Sequence, residues 1–220
     1  MEFNGKFFII DTTMQGGYFG LAESIGLKRE LLFQFACTKA HDTGRSLVSF
    51  VEMMKDLVDI SSLNAVVISV GPGSFTGIKI GVGFVQGLAL GNAFRDMQIM
   101  SASSLDSISR MNSGIWALKS TRRKGFLSID GETQVVDLSD PSLQNFVDDL
   151  GGDVSILGEW KEFENALGGK SKNLSHDEVG PLTLRSMMND LQSCQKISDG
   201  LLIPNYVRRS APEEKQLERD

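Results

Sequence analysis

The residues best placed to do chemistry lie at two turns. One is Gly71-Pro72-Gly73-Ser74, which follows the apolar run at 65–70 and enters a helix near Phe75. Strand, glycine turn and helix start, in that order, aim free backbone N–H groups at the mouth of a parallel sheet, where an anion or a partner's carboxylate can sit. Ser74 or Thr76 is placed to cap the helix. The other turn is Asp11-Thr12-Thr13, an acidic residue closing the buried strand Lys6-Phe7-Phe8-Ile9-Ile10.

Other catalytic patterns are incomplete. Gly73-Ser74 lacks the G-x-S-x-G spacing of a nucleophile on a strained turn, so Ser74 reads as a helix cap. A metal site of the His-x-x-x-His kind needs a second histidine one turn on. Here Arg45 stands four residues after His41, and the other histidine, His176, is distant in sequence. His41 reads as a surface or capping residue, and His176-Asp177-Glu178 as a solvated loop. Cys37 and Cys194, the two cysteines, make no disulfide framework, and Cys37 reads as core. Gly71-x-Gly73-x-x-x-Gly77 with Asp96 about twenty residues on is superficially a dinucleotide fingerprint, but Pro72 sits inside the turn. Ile78 after Gly77 excludes a P-loop. The expectation is no catalytic residue, no metal and no cofactor.

The helix after the turn carries glycines at 77 and 81 and again at 83, 87 and 91, two rows on one flank. Each costs roughly 1 kcal/mol of helix propensity relative to alanine. Two compensating gains are open: close packing inside the domain, or contact with a helix of another chain.

These residues are carried by 220 residues, 41% hydrophobic and 23% charged, with a net charge of −6. That is the composition of a soluble globular protein, and its acidic balance argues against gripping nucleic acid alone. No apolar run is long enough to span a bilayer. Met1-Glu2-Phe3-Asn4 does not open a signal peptide, so a cytoplasmic protein is expected.

Strands are predicted at 6–11, 18–23, 28–38, 65–70 and 97–100. A helix is predicted over 46–58, where Leu47, Phe50, Val51, Met54, Leu57 and Val58 fall at helical spacing. The Gly16-Gly17 turn leaves no room for the helix that a doubly wound fold places between its first two strands. The order strand, strand, strand, helix, strand, helix, strand is that of the actin-like, ribonuclease-H-like (ASKHA) fold: α/β, two lobes, mixed sheets flanked by helices. In that fold the first hairpin, with its Asp, faces phosphates and their metal. Residues 1–100 would be the first lobe, and 101–220 a smaller second lobe whose last segment could return to the first. In the second lobe the pattern predicts a helix from Ser103, strands at 114–118, 125–129, 133–138 and 154–157, and helices at 141–150, 159–167 and 182–194. A polar loop is expected at 168–173, and an extended segment and a charged tail at the end. No sequence repeat is visible.

The string Gly71-Pro72-Gly73-Ser74-Phe75-Thr76-Gly77-Ile78-Lys79-Ile80-Gly81 resembles the GPGSFTGLRIG motif of the TsaB (YeaZ) family, the bacterial partner in threonylcarbamoyladenosine modification of tRNA. Ile9-Ile10-Asp11-Thr12-Thr13 stands where that family reads like IDTS. Pro204-Asn205-Tyr206-Val207-Arg208 with Ala211 stands where it has P-x-Y-hydrophobic-R and an alanine. The likeness covers the first hundred residues well and the second lobe thinly. His41 to Ser46 departs from a His-Ser-Glu-like segment, and Lys119-Ser120-Thr121-Arg122-Arg123 lacks the Asp of a DARR-like turn.

The resemblance implies a non-catalytic accessory subunit that shares the fold of TsaD, the threonylcarbamoyl transferase, without its metal site. It implies pairing with TsaD through the helices flanking the glycine motif, a TsaE ATPase joining that pair, a homodimer when alone, and tRNA reached through the complex. Lys119, Arg122, Arg123 and Lys124 would be either a minor tRNA contact or a solvated turn. The interface so implied comprises Gly71, Gly73, Ser74, Phe75 and Thr76, then Gly77, Gly81, Val85 and Leu88, with Leu47, Phe50, Val51 and Met54 as apolar anchors. Asp11, Thr12 and Thr13 would be a vestigial nucleotide site. Gly151-Gly152-Asp153, the candidate for the other half of a phosphate clamp, precedes its strand. The alternative is a degenerate actin-like ATPase or small-molecule kinase using Asp11. Residual protease activity finds no nucleophile–base pair.

Overall fold

Phe7, Phe8, Ile9 and Ile10 follow one another without a polar break and none has exposed surface, as a strand covered on both faces requires. They form β1 (Gly5–Asp11), antiparallel to β2 (Gly17–Ile25) and parallel to β4 (Leu63–Ser69). The computed structural model describes residues 3–14, 16–91, 97–149, 151–167, 169–197 and 202–205. β3 (Lys28–Cys37) extends the sheet beyond β2, and β5 (Gln98–Ala102) runs parallel to β4. A late strand, β11 (Gln195–Ile197), pairs antiparallel with β5, completing the order β3-β2-β1-β4-β5-β11.

Two helices cover the outer face of this sheet, α1 (Thr43–Leu57) and α2 (Phe75–Leu90). Leu47, Phe50, Val51 and Met54 recur at helical spacing along α1, and with Ile78, Val82 and Val85 of α2 they enclose Phe8, Ile10, Val66 and Ile68.

The second sheet contains β6 (Ile115–Lys119), β7 (Lys124–Ile129), β8 (Glu132–Asp137), β9 (Val154–Leu157) and β10 (Ser171–Leu174). Its order is β8-β7-β6-β9-β10, with β7 antiparallel to both neighbours and β6, β9 and β10 parallel. Strand for strand this repeats β3-β2-β1-β4-β5. The chain thus has the two-lobed actin-like architecture expected from its element order, duplicated in topology where the sequence shows no repeat. α4 (Leu143–Asp149) and α5 (Lys161–Ala166) cover the outer face of the second sheet, over Val147, Trp160 and Phe163.

Between the sheets lie α3 (Ser104–Met111) and α6 (His176–Asn189). Each crosses over: α3 leaves the first sheet and packs on β6, β7 and β8, while α6 leaves the second and packs on β1, β2 and β3. One apolar cluster runs through all four layers, from Phe7 and Val67 through Leu105, Ile108, Leu184 and Met187 to Trp116 and Phe126.

Several elements differ from the sequence reading. α1 begins at Thr43, whose hydroxyl donates to the Gly16 carbonyl at 2.8 Å. The loop expected at 168–173 overlaps β10, which finds a parallel partner in β9. α6 begins at His176, six residues before the expected start, and runs through Pro181. The start signal is the capping box Ser175-x-x-Glu178: Glu178 Oε2 accepts from the Ser175 backbone N–H at 2.8 Å and from its hydroxyl at 2.9 Å. The chain division is also less simple than 1–100 and 101–220. β5 straddles residue 100, α6 and β11 pack on the first sheet, buried Leu202 joins the first lobe's outer core, and Asn205 N donates to Val70 O at 2.7 Å. Asp96 and the closing residues from Tyr206 to Ala211 lie outside the described residues. Among the described residues no helix is long and apolar enough to cross a membrane.

Candidate functional site

β1 and β4 are parallel neighbours, so Asp11 and Ser69 end at the same edge of the sheet. From there the chain turns through Gly71 (φ +116°), a cis bond to Pro72, and Gly73 (φ +156°). Both glycines are required for space as well as for φ: a Cβ on Gly71 would lie 2.5 Å from the Asn205 carbonyl oxygen, and one on Gly73 2.3 Å from that of Thr13. Ser74 then caps α2, its hydroxyl accepting from Gly77 N at 3.2 Å. The turn does not look out on an open mouth. Ser74 N donates to Thr13 O at 2.6 Å, and the Thr12 hydroxyl donates to Gly77 O at 2.7 Å. The glycine turn is fitted into the Asp11–Thr13 turn.

Behind it Asp11 has no exposed surface. Its Oδ1 accepts from Thr13 N at 2.8 Å and from the Thr13 hydroxyl at 2.6 Å, and that hydroxyl lies 3.2 Å from Ser104 Oγ. Oδ2 has no hydrogen-bond partner among the described residues. Burial outweighs the hydrogen bonds from Thr13, so the carboxyl is held above its usual range. Tyr18, directly across the β1–β2 ladder, is also pushed up, by burial first and then by the negative charges of Asp11 and Asp177. A metal-bound nucleotide, which the actin-like fold brings to mind at this turn, needs the carboxylate and the backbone N–H groups to be approachable. With residues 73–77 seated on Thr12 and Thr13, these residues do not fit such a group.

The second lobe closes its corresponding hairpin in another way. By topology the match of the Gly71 turn is the turn after β9, Gly158-Glu159-Trp160, with Gly158 at φ +93°. Gly151-Gly152-Asp153, singled out in the sequence, lies ahead of β9. The Trp160 indole is fully buried, is stacked on Phe163 with centroids 4.5 Å apart, and donates from Nε1 to Arg122 O at 3.1 Å. Gly125 makes room for it, since a Cβ there would lie 2.3 Å from the ring. Only the duplication reveals this match.

The glycines of α2 divide into two groups. A Cβ on Gly77 would lie 1.8 Å from the Thr12 carbonyl oxygen, and one on Gly81 2.4 Å from the Thr12 hydroxyl. Both serve close packing inside the chain. Leu47, Phe50, Val51, Met54 and Val85 are buried in the first lobe's own core, and Leu88 packs against its rim. Their burial is within the lobe, and Leu88 keeps part of its surface exposed. Gly71 is likewise buried, whereas Ser74, Phe75 and Thr76 are exposed. Open space surrounds Gly83 and Gly87, which the interface set had passed over.

The family model described as TsaD, tRNA N6-adenosine threonylcarbamoyltransferase, matches residues 43–141, somewhat under half of the chain. Among solved structures, an uncharacterized protein with similarity to peptidase YeaZ from Pseudomonas aeruginosa aligns with a TM-score of 0.65 at 16% identity, over 93% of this chain and 100% of the other. YeaZ from Pseudomonas aeruginosa itself aligns with a TM-score of 0.59, also at 16% identity, over 82% and 89%. The chain has a YeaZ-like fold, and at that identity the fold is what is shared. No curated protein sequence matches the chain.

The remaining polar groups of this YeaZ-like chain do not converge. His41 is exposed before α1, its Nε2 3.6 Å from Asp42 Oδ2. His176 lies on the first turn of α6, its ring 4.8 Å from that of Tyr18, and neither ring nitrogen has a hydrogen-bond partner among the described residues. Cys37 Sγ donates to Lys39 O at 3.2 Å. Cys194 is pushed up to about 12 by burial and then by Asp190, far from the thiolate a nucleophile needs. The Ser74 hydroxyl is engaged as a cap. Among the described residues no three His, Cys, Asp or Glu side chains are grouped to hold a metal.

Proposed function

We propose that the chain is a non-catalytic subunit that pairs with a TsaD-like transferase in threonylcarbamoylation of tRNA adenosine. The observation that carries this reading is the seating of the glycine turn on Asp11, Thr12 and Thr13. The fold keeps the frame of a nucleotide-handling lobe and uses its mouth as a packing surface. The same seating weighs against the ATPase alternative. The reaction class comes from the TsaD family match and the YeaZ-like fold.

The outer faces of α1 and α2 supply a surface for pairing. Val48 and Leu57 are 53% and 58% exposed on α1, and Phe75 and Leu90 are 39% and 89% exposed on α2. Phe75, Lys79, Gly83, Gly87 and Leu90 recur every three or four residues and are all exposed, giving a stripe that is apolar apart from Lys79, whose Nζ lies 4.2 Å from the Phe75 ring centroid, with two flat steps of bare backbone. Such stripes mark interfaces, and glycine allows a facing helix to approach closely. The assembly proposed is a homodimer alone, a 1:1 pair with the transferase, and a TsaE-like ATPase joining that pair, in the cytoplasm.

Light scattering of the chain, alone and mixed with the TsaD-like protein of its organism, tests the reading. A homodimer that gives way to a 1:1 pair is expected, and Gly87→Arg should abolish both without lowering the melting temperature. A monomer indifferent to the transferase would overturn the proposal.

A further inference from the structure

The hairpin joining β6 to β7 carries four cations in six residues, Lys119, Arg122, Arg123 and Lys124, on a chain whose net charge is −6. Beside it opens a cavity of about 510 Å³ lined by Arg122, Arg123, Leu138, Ser139 and Glu162. The charges around it do not cancel. Glu162 is shared, 3.5 Å from Lys119 Nζ and 3.1 Å from Arg122 Nε. Lys124 faces Asp137 at 3.8 Å. Arg123 makes no ion pair among the described residues, though, after the Ser139 hydrogen bonds and Lys124, it helps to hold the Asp137 carboxyl below its usual range. Glu162 and Asp137 thus pair with three of the four cations and leave Arg123 over.

The backbone of the hairpin is fixed: Arg122 O accepts from Trp160 Nε1 at 3.1 Å and Arg123 O from Leu138 N at 2.8 Å. Glu162 holds Arg122 by Nε alone, so its two terminal nitrogens keep their donors. We propose that this hairpin is where the subunit touches the phosphodiester backbone of RNA. The inference rests on the tRNA-modification reading and deepens it by assigning a direct contact. A site for a small phosphorylated molecule would enclose its arginine. Here the Arg122 side chain is 83% exposed on a projecting turn, the placement that suits a long polyanion passing over the cavity. The stacked rings of Trp160 and Phe163 beneath it are buried, so the contact reads phosphate and not base.

The experiment uses the full chain and bulk tRNA from the same organism, with the transferase present and absent. Wild type and an Arg122→Gln/Arg123→Gln double variant are titrated by fluorescence anisotropy over a salt series. Removing two phosphate contacts should flatten the plot of log K against log salt by about 2 and lower affinity at low salt at least tenfold, with pairing to the transferase unchanged. Equal slopes and affinities would overturn the inference. So would saturation of the cavity by inorganic phosphate at one per chain with the tRNA slope unaltered. If pairing itself fails, the pairing proposal falls, while the slope measured on the chain alone still decides this one.

Discussion

At the scale of single residues the informative group is Asp11. It is fully buried, one oxygen is satisfied by Thr13, and the other has no partner among the described residues. Because burial holds its pKa above the unfolded value, the folded state retains a proton at pH values where the unfolded chain has released it. Stability from this group is therefore greatest below the ordinary carboxylate range and falls as pH rises through the folded pKa. Asp11→Asn removes that loss. Thermal melts should show the variant more stable than wild type at pH 7, with the gain shrinking as pH falls through that window. If Asn instead weakens the protein at neutral pH and abolishes a measurable ATP turnover, Asp11 is an occupied ionic site and the ATPase alternative replaces the subunit reading.

At the scale of elements, α2 shows how far a sequence can be read. Its start was legible because capping is local: Ser74 bonds Gly77 three residues on. The purpose of its glycines was not, because the group that demands Gly77 and Gly81 is Thr12, more than sixty residues away. β10 and β11 were hidden for a related reason: they are short strands defined by partners elsewhere in the chain. For α6 the capping box at Ser175 and Glu178 stands in the sequence, within residues whose polar run His176-Asp177-Glu178 reads as a loop, and Pro181 lies inside the helix. The two groups of glycines make opposite predictions. Gly77→Ala drives a methyl into the Thr12 carbonyl and should cost about 2–3 kcal/mol. Gly83→Ala meets open space and should add roughly 0.5–1 kcal/mol, the helix-propensity difference. Denaturant midpoints that moved the same way for both would show that α2 does not sit on the Thr12 turn as described.

At the scale of the whole molecule, the crossed helices make two lobes into one cooperative body. α6 covers the inner face of the first sheet and α3 that of the second, so neither lobe can bury its apolar face with its own contiguous sequence. The crossing is fastened by a polar clasp. Arg110 of α3 reaches Asp190 at the end of α6 with Nε and Nη2 both 2.9 Å from Oδ2, and Ser107 and Ser193 donate to the same carboxylate at 2.9 and 2.6 Å. Asp190 is 1% exposed and Arg110 31%, between a surface pair and a buried one. Removing the cation strands a buried carboxylate, so Arg110→Ala should cost about 2–3 kcal/mol, below the full buried-pair penalty. That cost should be felt in both lobes at once. Trp116 and Trp160 report on the second lobe, and amide exchange along β1 reports on the first. The loss measured by tryptophan fluorescence should equal the loss of β1 protection. A fluorescence transition that shifts while β1 keeps its protection would mean that the lobes unfold separately. A rigid body of this kind suits a subunit that presents a fixed surface to a partner, because binding then orders little beyond the exposed stripe of α1 and α2.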